Sequence, residues 1–122
     1  SYRYFERYEE AAQAFGKATT VIEADPLALA EYAETLARSS SEGFEGKPEQ
    51  LIERALSLDP NQPFALTLAG AAALERRDYQ EAIQSWQKLL ALLPDGSDAS
   101  RAVAGSIERA RREQGRFVPQ ER

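Results

Sequence analysis

Three prolines stand at equal intervals in this chain. Asp25-Pro26, Asp59-Pro60 and Leu93-Pro94 each read as the end of a helix, and successive prolines are 34 residues apart. A proline disfavours helix at the residue before it and cannot continue one. A constant interval between helix ends therefore predicts one unit built more than once. The last interval shows the unit most clearly. Residues 63–94, PFALTLAGAAALERRDYQEAIQSWQKLLALLP, read as two helices folded back on each other. The first spans about Phe64 to Arg76, with Leu66, Ala69, Gly70, Ala73 and Leu74 at gaps of three and four. Arg76-Arg77-Asp78 is a polar corner, and Asp78 with Glu81 three residues on has the form of a capping box. The second helix carries Tyr79, Ala82, Ile83, Trp86, Leu89, Leu90 and Leu93 on one broad face and stops at Pro94. Gly70 and Ala82 are small where two helices must approach; Trp86 is large where a hole must be filled.

The same texture recurs upstream. RYEEAAQAFGKA parallels RDYQEAIQSWQKL, so that Tyr8 matches Tyr79, Ala11 matches Ala82 and Phe15 matches Trp86. Residues 1–6 look like the last turns of a helix, and the chain is expected to begin partway into a longer protein. A face around Tyr2, Phe5, Tyr8 and Phe15 would then be uncovered, and a homodimer through this truncated N-terminal face is expected. Between Leu27 and Ser39 the stripe Leu29, Tyr32, Ala33, Leu36, Ala37 predicts a helix. SSSEGFEGKP, 39–48, is a loop by composition. A short helix follows from Pro48 to Leu58, with Leu51, Ile52, Ala55, Leu56 and Leu58 inward. Pro48 stands where the third unit has Ala82, and suits a first helical turn. After Asp95-Gly96, Ser97 or Asp98 caps a last helix with the thin stripe Ala99, Val103, Ile107, Ala110.

The repeat length and Leu68-Ala69-Gly70, Asp78-Tyr79, Ala82, Trp86 and Pro94 resemble the tetratricopeptide repeat (TPR), a helix–turn–helix unit of 34 residues. The resemblance implies an all-α fold: a right-handed superhelix of antiparallel helix pairs with a C-terminal capping helix. The expected organisation is one TPR domain over 1–115, with repeats at about 1–26 (truncated), 27–60 and 61–94. A capping helix over about 97–114 and a disordered tail over 116–122 complete it.

Composition excludes several functions. There is no cysteine and no histidine, so disulfides, Cys/His zinc sites and Ser/His/Asp catalysis cannot be assembled within this chain. Gly16-Lys17-Ala18-Thr19 lacks the glycine a phosphate loop needs five positions earlier, where Ala11 stands. Glu9-Glu10 and Glu42 with Glu45 are acid pairs without partner groups, and read as solvated faces. The chain therefore reads as a non-enzyme with no cofactor and no metal. No apolar run approaches the length that spans a bilayer. The net charge is −5, and the arginines gather late: Arg101, Arg109, Arg111, Arg112, Arg116 and Arg122. An acidic array is a poor nucleic-acid binder, and the late arginines read as solvation of an end helix.

What remains is a binding surface. In tetratricopeptide arrays the first helices of successive repeats line a concave groove. Carried onto this chain, the groove would comprise Tyr4, Ala30, Ala33, Glu34, Ala37, Phe64, Thr67, Ala71, Leu74 and Glu75. The lysines and asparagines of the branch that clamps acidic chaperone tails are missing. An alanine-lined apolar groove with acidic edges suits an amphipathic helix. The same residues would also serve as core for a helix preceding Ser1 or for a neighbouring domain.

A narrower resemblance covers Tyr32 to Pro94 and runs into the cap. It is carried by the serine-and-glycine corner before LIERAL, by SLDP, by ALTLAG, by Trp86 followed by KLLALLP, and by GSDAS. These features are similar to the tetratricopeptide domains of bacterial c-type cytochrome biogenesis proteins, of the CcmH, CcmI and NrfG kind. That resemblance implies a Gram-negative periplasmic chaperone, membrane-anchored by a preceding segment. It would hold the C-terminal helix of an apocytochrome c for haem attachment, beside other cytochrome c maturation proteins. The alternatives are a generic TPR scaffold in a secretion or envelope assembly complex, and a regulatory domain cut from an enzyme.

Overall fold

A computed structural model describes residues 7–13 and 24–116, and among these every regular element is a helix. Residues 7–13 are helical. Five helices follow: α1 (Pro26–Arg38), α2 (Lys47–Leu58), α3 (Pro63–Glu75), α4 (Tyr79–Leu92) and α5 (Asp98–Arg116). Neighbours in sequence are neighbours in space. α1 packs on α2, α3 on α4 and α4 on α5, while α3 also touches α1 and α2. That is the fold of a helical repeat, as the 34-residue spacing predicts.

Each helix starts for a local reason. The Asp25 carboxylate accepts from the amides of Leu27 (3.0 Å) and Ala28 (3.3 Å). Gln62 Oε1 accepts from Ala65 N at 2.9 Å, and Ser97 Oγ accepts from Ser100 N at 3.1 Å. Asp78 caps α4 through Glu81 N at 3.2 Å. The reciprocal half of that capping box is not formed. Asp78 N donates to Ala73 O (2.8 Å) and Arg77 N to Leu74 O (2.9 Å), which closes α3 as a Schellman motif with Arg77 left-handed at φ 64°. The Glu81 carboxylate instead pairs with Arg76 at 2.7 Å.

Pro26 is a correction to the reading of helix ends. It is the first residue of α1, whereas Pro60 and Pro94 each lie one residue past a C-cap. Proline is tolerated at both places because it needs no N–H at N1 and no helical neighbour beyond the C-cap. The counterpart of Pro26 in the next repeat is Pro63, which opens α3, and that offset is 37 residues rather than 34. The second helices keep the 34-residue offset, since α2 ends at Leu58 and α4 at Leu92. The extra length lies in the corner between α1 and α2.

That corner is tied down. Phe44 N donates to the Glu75 carboxylate at the end of α3 (3.1 and 3.4 Å). Gly43, at φ +65°, lies so close that a Cβ there would sit 2.5 Å from the same oxygens. Arg76 joins Glu49 of α2 to Glu81 of α4, binding three elements at one vertex. Gly46, at φ 87°, then starts α2, and Pro48 is buried in its first turn.

Helix α3 is apolar on all sides because it is covered on most of them. Ala65, Leu68, Ala69 and Ala72 join Leu29, Ala30, Ala33, Ile52 and Ala55 in one cluster. Leu66 and Ala73 join Ala82, Ile83, Trp86, Leu89, Ile107 and Ala110 in a second, and Leu56 packs against both. Leu58 departs from the inward expectation, at 41% exposed.

The tightest fit is Gly70 against Trp86. A Cβ on Gly70 would fall 2.0 Å from Trp86 Nε1, and the indole N–H makes a long bond to Thr67 O at 3.4 Å. The ring occupies the space a side chain would need. In the second repeat the equivalent positions are Ala33 and Ile52, which share a core cluster. A smaller residue from the second helix admits a larger one from the first.

Two outcomes test this packing. Trp86→Ala is expected to cost about 3–5 kcal/mol and Gly70→Ala about 1–3 kcal/mol in urea unfolding; a loss under about 1 kcal/mol for Trp86→Ala would mean the ring is not a wedge between helices. Glu75→Ala should cost about 1 kcal/mol and speed hydrogen exchange at the Phe44 amide while leaving the α4 amides protected.

Candidate functional site

The sequence places the groove on the first helices of the repeats. The fold keeps part of that list together and removes part of it. Thr67, Ala71 and Leu74 share one face of α3, at spacings of four and three, and open onto α5. Thr67 gives its hydroxyl proton to Pro63 O at 2.9 Å, so it has no side-chain donor left for a ligand. Leu74 is 38% exposed, the largest apolar surface on this face.

Ala30 and Ala33 are 0% exposed and Ala37 is 8% exposed, so none of the three can form a groove floor. Ala30 and Ala33 pack in the cluster that α1 forms with α2 and α3, and the 37-residue offset sets the counterparts of all three. Ala33 is the counterpart of Gly70, the close-approach position, and belongs to the core between α1 and α2. Ala30 and Ala37 are the counterparts of Thr67 and Leu74, but both are buried. The offset also brings in Leu27, the counterpart of Phe64, at 42% exposed. Glu34 is half-buried and pairs with Arg38 at 3.4 Å. Phe64 is half-buried against the α1–α2 cluster. Glu75 is exposed and accepts from Phe44 N of the corner at 3.1 Å. Tyr4, Tyr2, Phe5 and Phe15 lie outside the described residues. Tyr8, of the expected dimer face, is half-buried with the Arg38 guanidinium 5.5 Å from its ring centroid.

The opposite wall is α5, whose thin apolar stripe in the sequence reads only as a cap. One side of α5 does cap, with Ile107 and Ala110 in the core. Another side faces α3 across two adjoining clefts. The first, about 240 Å³, is lined by Thr67 and Ala71 of α3, Trp86 and Leu89 of α4, and Ala102, Val103 and Ser106 of α5. The second, about 370 Å³, is lined by Leu74, Trp86, Ser106, Arg109, Ala110, Arg112, Glu113 and Arg116. Trp86 and Ser106 belong to both, so the clefts form one groove floored by the indole edge. In effect α5 stands where the first helix of a further repeat would stand. The signal was present in the sequence: Ala102, Ser106 and Arg109 recur at gaps of four and three, a second stripe beside the capping one.

Chemically the groove offers an apolar floor and guanidinium groups, and among the described residues no nucleophile paired with a base. No described helix is long and apolar enough to cross a membrane.

Comparison with known proteins agrees with this architecture. Residues 2–100 match the family described as the TPR domain of cytochrome c-type biogenesis protein H. Over 111 residues the chain is 34% identical to the cytochrome c-type biogenesis protein CycH of Pseudomonas aeruginosa. That alignment covers 91% of this chain and 27% of the relative, so the chain spans about a quarter of that protein's length. With the helical-repeat fold, the 34-residue unit and a family match over most of its length, this chain belongs to the TPR domains of cytochrome c-type biogenesis protein H.

Proposed function

We propose that this domain is the segment-binding module of a c-type cytochrome maturation protein, acting in the periplasm as a chaperone for apocytochrome c. It holds the C-terminal helix of the apocytochrome in the groove between α3 and α5 while haem is attached. The observation that carries this reading is the groove itself. Leu74 is exposed on a rigid helix, Ala71, Ala102 and Thr67 keep the walls low, and the Trp86 edge forms an apolar floor. A helix entering such a groove buries one apolar face, which is the helix-in-groove mode. A haem-free cytochrome is unfolded, so its terminal helix orders on binding and the affinity is modest for the area covered. The family membership supplies the biological setting, and an anchoring segment elsewhere in the full protein would keep the module at the membrane.

Titration of a fluorescent apocytochrome C-terminal peptide tests this. The wild-type domain is expected to bind in the micromolar range, and Ala71→Lys to weaken binding at least about tenfold by bulk and an unpaired charge in an apolar cleft. Ala37→Lys, at a buried position, should unfold the domain instead of blocking the groove. Equal binding by wild type and Ala71→Lys would move the peptide off this groove. Indifference to the apocytochrome peptide alongside capture of unrelated acidic tails would make the domain a general assembly scaffold.

A further inference from the structure

We propose that the α5 wall of the groove is a carboxylate subsite, in which Arg109 and Arg112 receive the free C-terminal carboxylate of the docked segment. This rests on the groove being the segment-binding site. It adds the residues that set the direction of docking and the chemical group they read.

The observation is one of charge left over. The chain has twenty acidic residues to fifteen basic ones, so most arginines can find a carboxylate. On α5, Arg101 pairs with Asp98, and Arg116 pairs with Glu113 at 2.9 Å. Arg109 makes one bond, to Ser106 Oγ at 3.2 Å, and among the described residues neither Arg109 nor Arg112 has a carboxylate partner. Both line the cleft that holds Leu74 and Trp86, and Glu113, the one acid in that cleft, is taken by Arg116. The cleft therefore carries two uncompensated positive charges beside its apolar floor.

Placement turns these charges into a recognition element. Residues three apart lie on neighbouring parts of one helix face, so the two guanidinium groups can close on one anion. A guanidinium binds a carboxylate through two parallel N–H bonds, and such bonds strengthen when the ligand excludes water. An apolar side chain on Leu74 and Trp86 with a carboxylate directly beyond it describes the last residue of a chain. The two unpaired guanidinium groups favour the C-terminus of a docked helix, where its dipole is also negative, at the α5 wall. Of the acidic rim that the sequence suggests, Glu34 is matched by Arg38, and Glu75, which accepts from Phe44 N, is not among the residues lining this cleft, whose uncompensated charge is basic.

The test compares one apocytochrome C-terminal peptide as its free acid and as its C-terminal amide. Both are titrated against the wild type, the Arg109→Ala/Arg112→Ala double variant and the Arg109→Lys/Arg112→Lys double variant. Both arginines are exposed, so all variants should fold, which circular dichroism verifies. On the wild type, amidation is expected to weaken binding about tenfold, with the difference shrinking as salt is raised. The alanine variant should bind the free acid about tenfold more weakly and no longer distinguish it from the amide. The lysine variant should recover part of the preference, since it restores charge without the planar fork. Equal, measurable binding of acid and amide by the wild type overturns the subsite while leaving the groove intact. A preference that survives in the alanine variant overturns the assignment to Arg109 and Arg112. Loss of binding on a Glu→Gln change within the peptide, with amidation neutral, would assign the arginines to an acidic side chain and overturn the terminal reading. If the wild type binds neither form, the segment-binding function itself falls, and the subsite with it.

Discussion

The close approach of α3 and α4 at Gly70 governs the rest of this structure. With no side chain on Gly70, the Trp86 ring lies against the α3 backbone, and its N–H reaches Thr67 O. The indole does two jobs from there. Its body fills the second core cluster with Leu66, Ile83 and Ile107, and its edge forms the floor of the groove. One aromatic thereby couples stability to site shape. A core packed at crystal-like density transmits a change at such a position to its surroundings.

The second repeat solves the same problem differently. Ala33 and Ile52 replace glycine and tryptophan, and Pro48 replaces Ala82 at the start of the second helix. Between them runs a longer corner, Ser39 to Gly46, which gains its order from contacts made at a distance. Phe44 N finds the Glu75 carboxylate, and Arg76 links Glu49 with Glu81. These surface pairs are individually weak. As a network at the meeting point of α2, α3 and α4 they hold the repeats in register where the chain departs from the 34-residue period.

The groove is correspondingly asymmetric. It lies between α3 and α5, apolar at the floor and basic on the α5 wall, while the α1 alanines are buried and do not line it. A helix that caps the last repeat thus also forms one wall of the groove. Its inward stripe of Ile107 and Ala110 fixes its position, and this leaves Ser106, Arg109 and Arg112 directed along the cleft.

Much of this was legible in the residues alone. The proline interval, the Leu68-Ala69-Gly70 run, Asp78 before α4 and the tryptophan eight residues on determined the helix pairs, because helix caps and periodicity are local properties of the chain. Thr67, Ala71 and Leu74 were legible as one face for the same reason. Three things were decided only in three dimensions. Pro26 opens a helix instead of ending one, since proline is compatible with both roles and only the path of the chain selects between them. Ala30, Ala33 and Ala37 are buried, because periodicity only places them on α1, and the packing of α1 against α2 and α3 decides that their faces are covered. And α5 is a wall as well as a cap, because which of its two stripes meets α4 and which meets the groove depends on the angle at which it lands on Trp86.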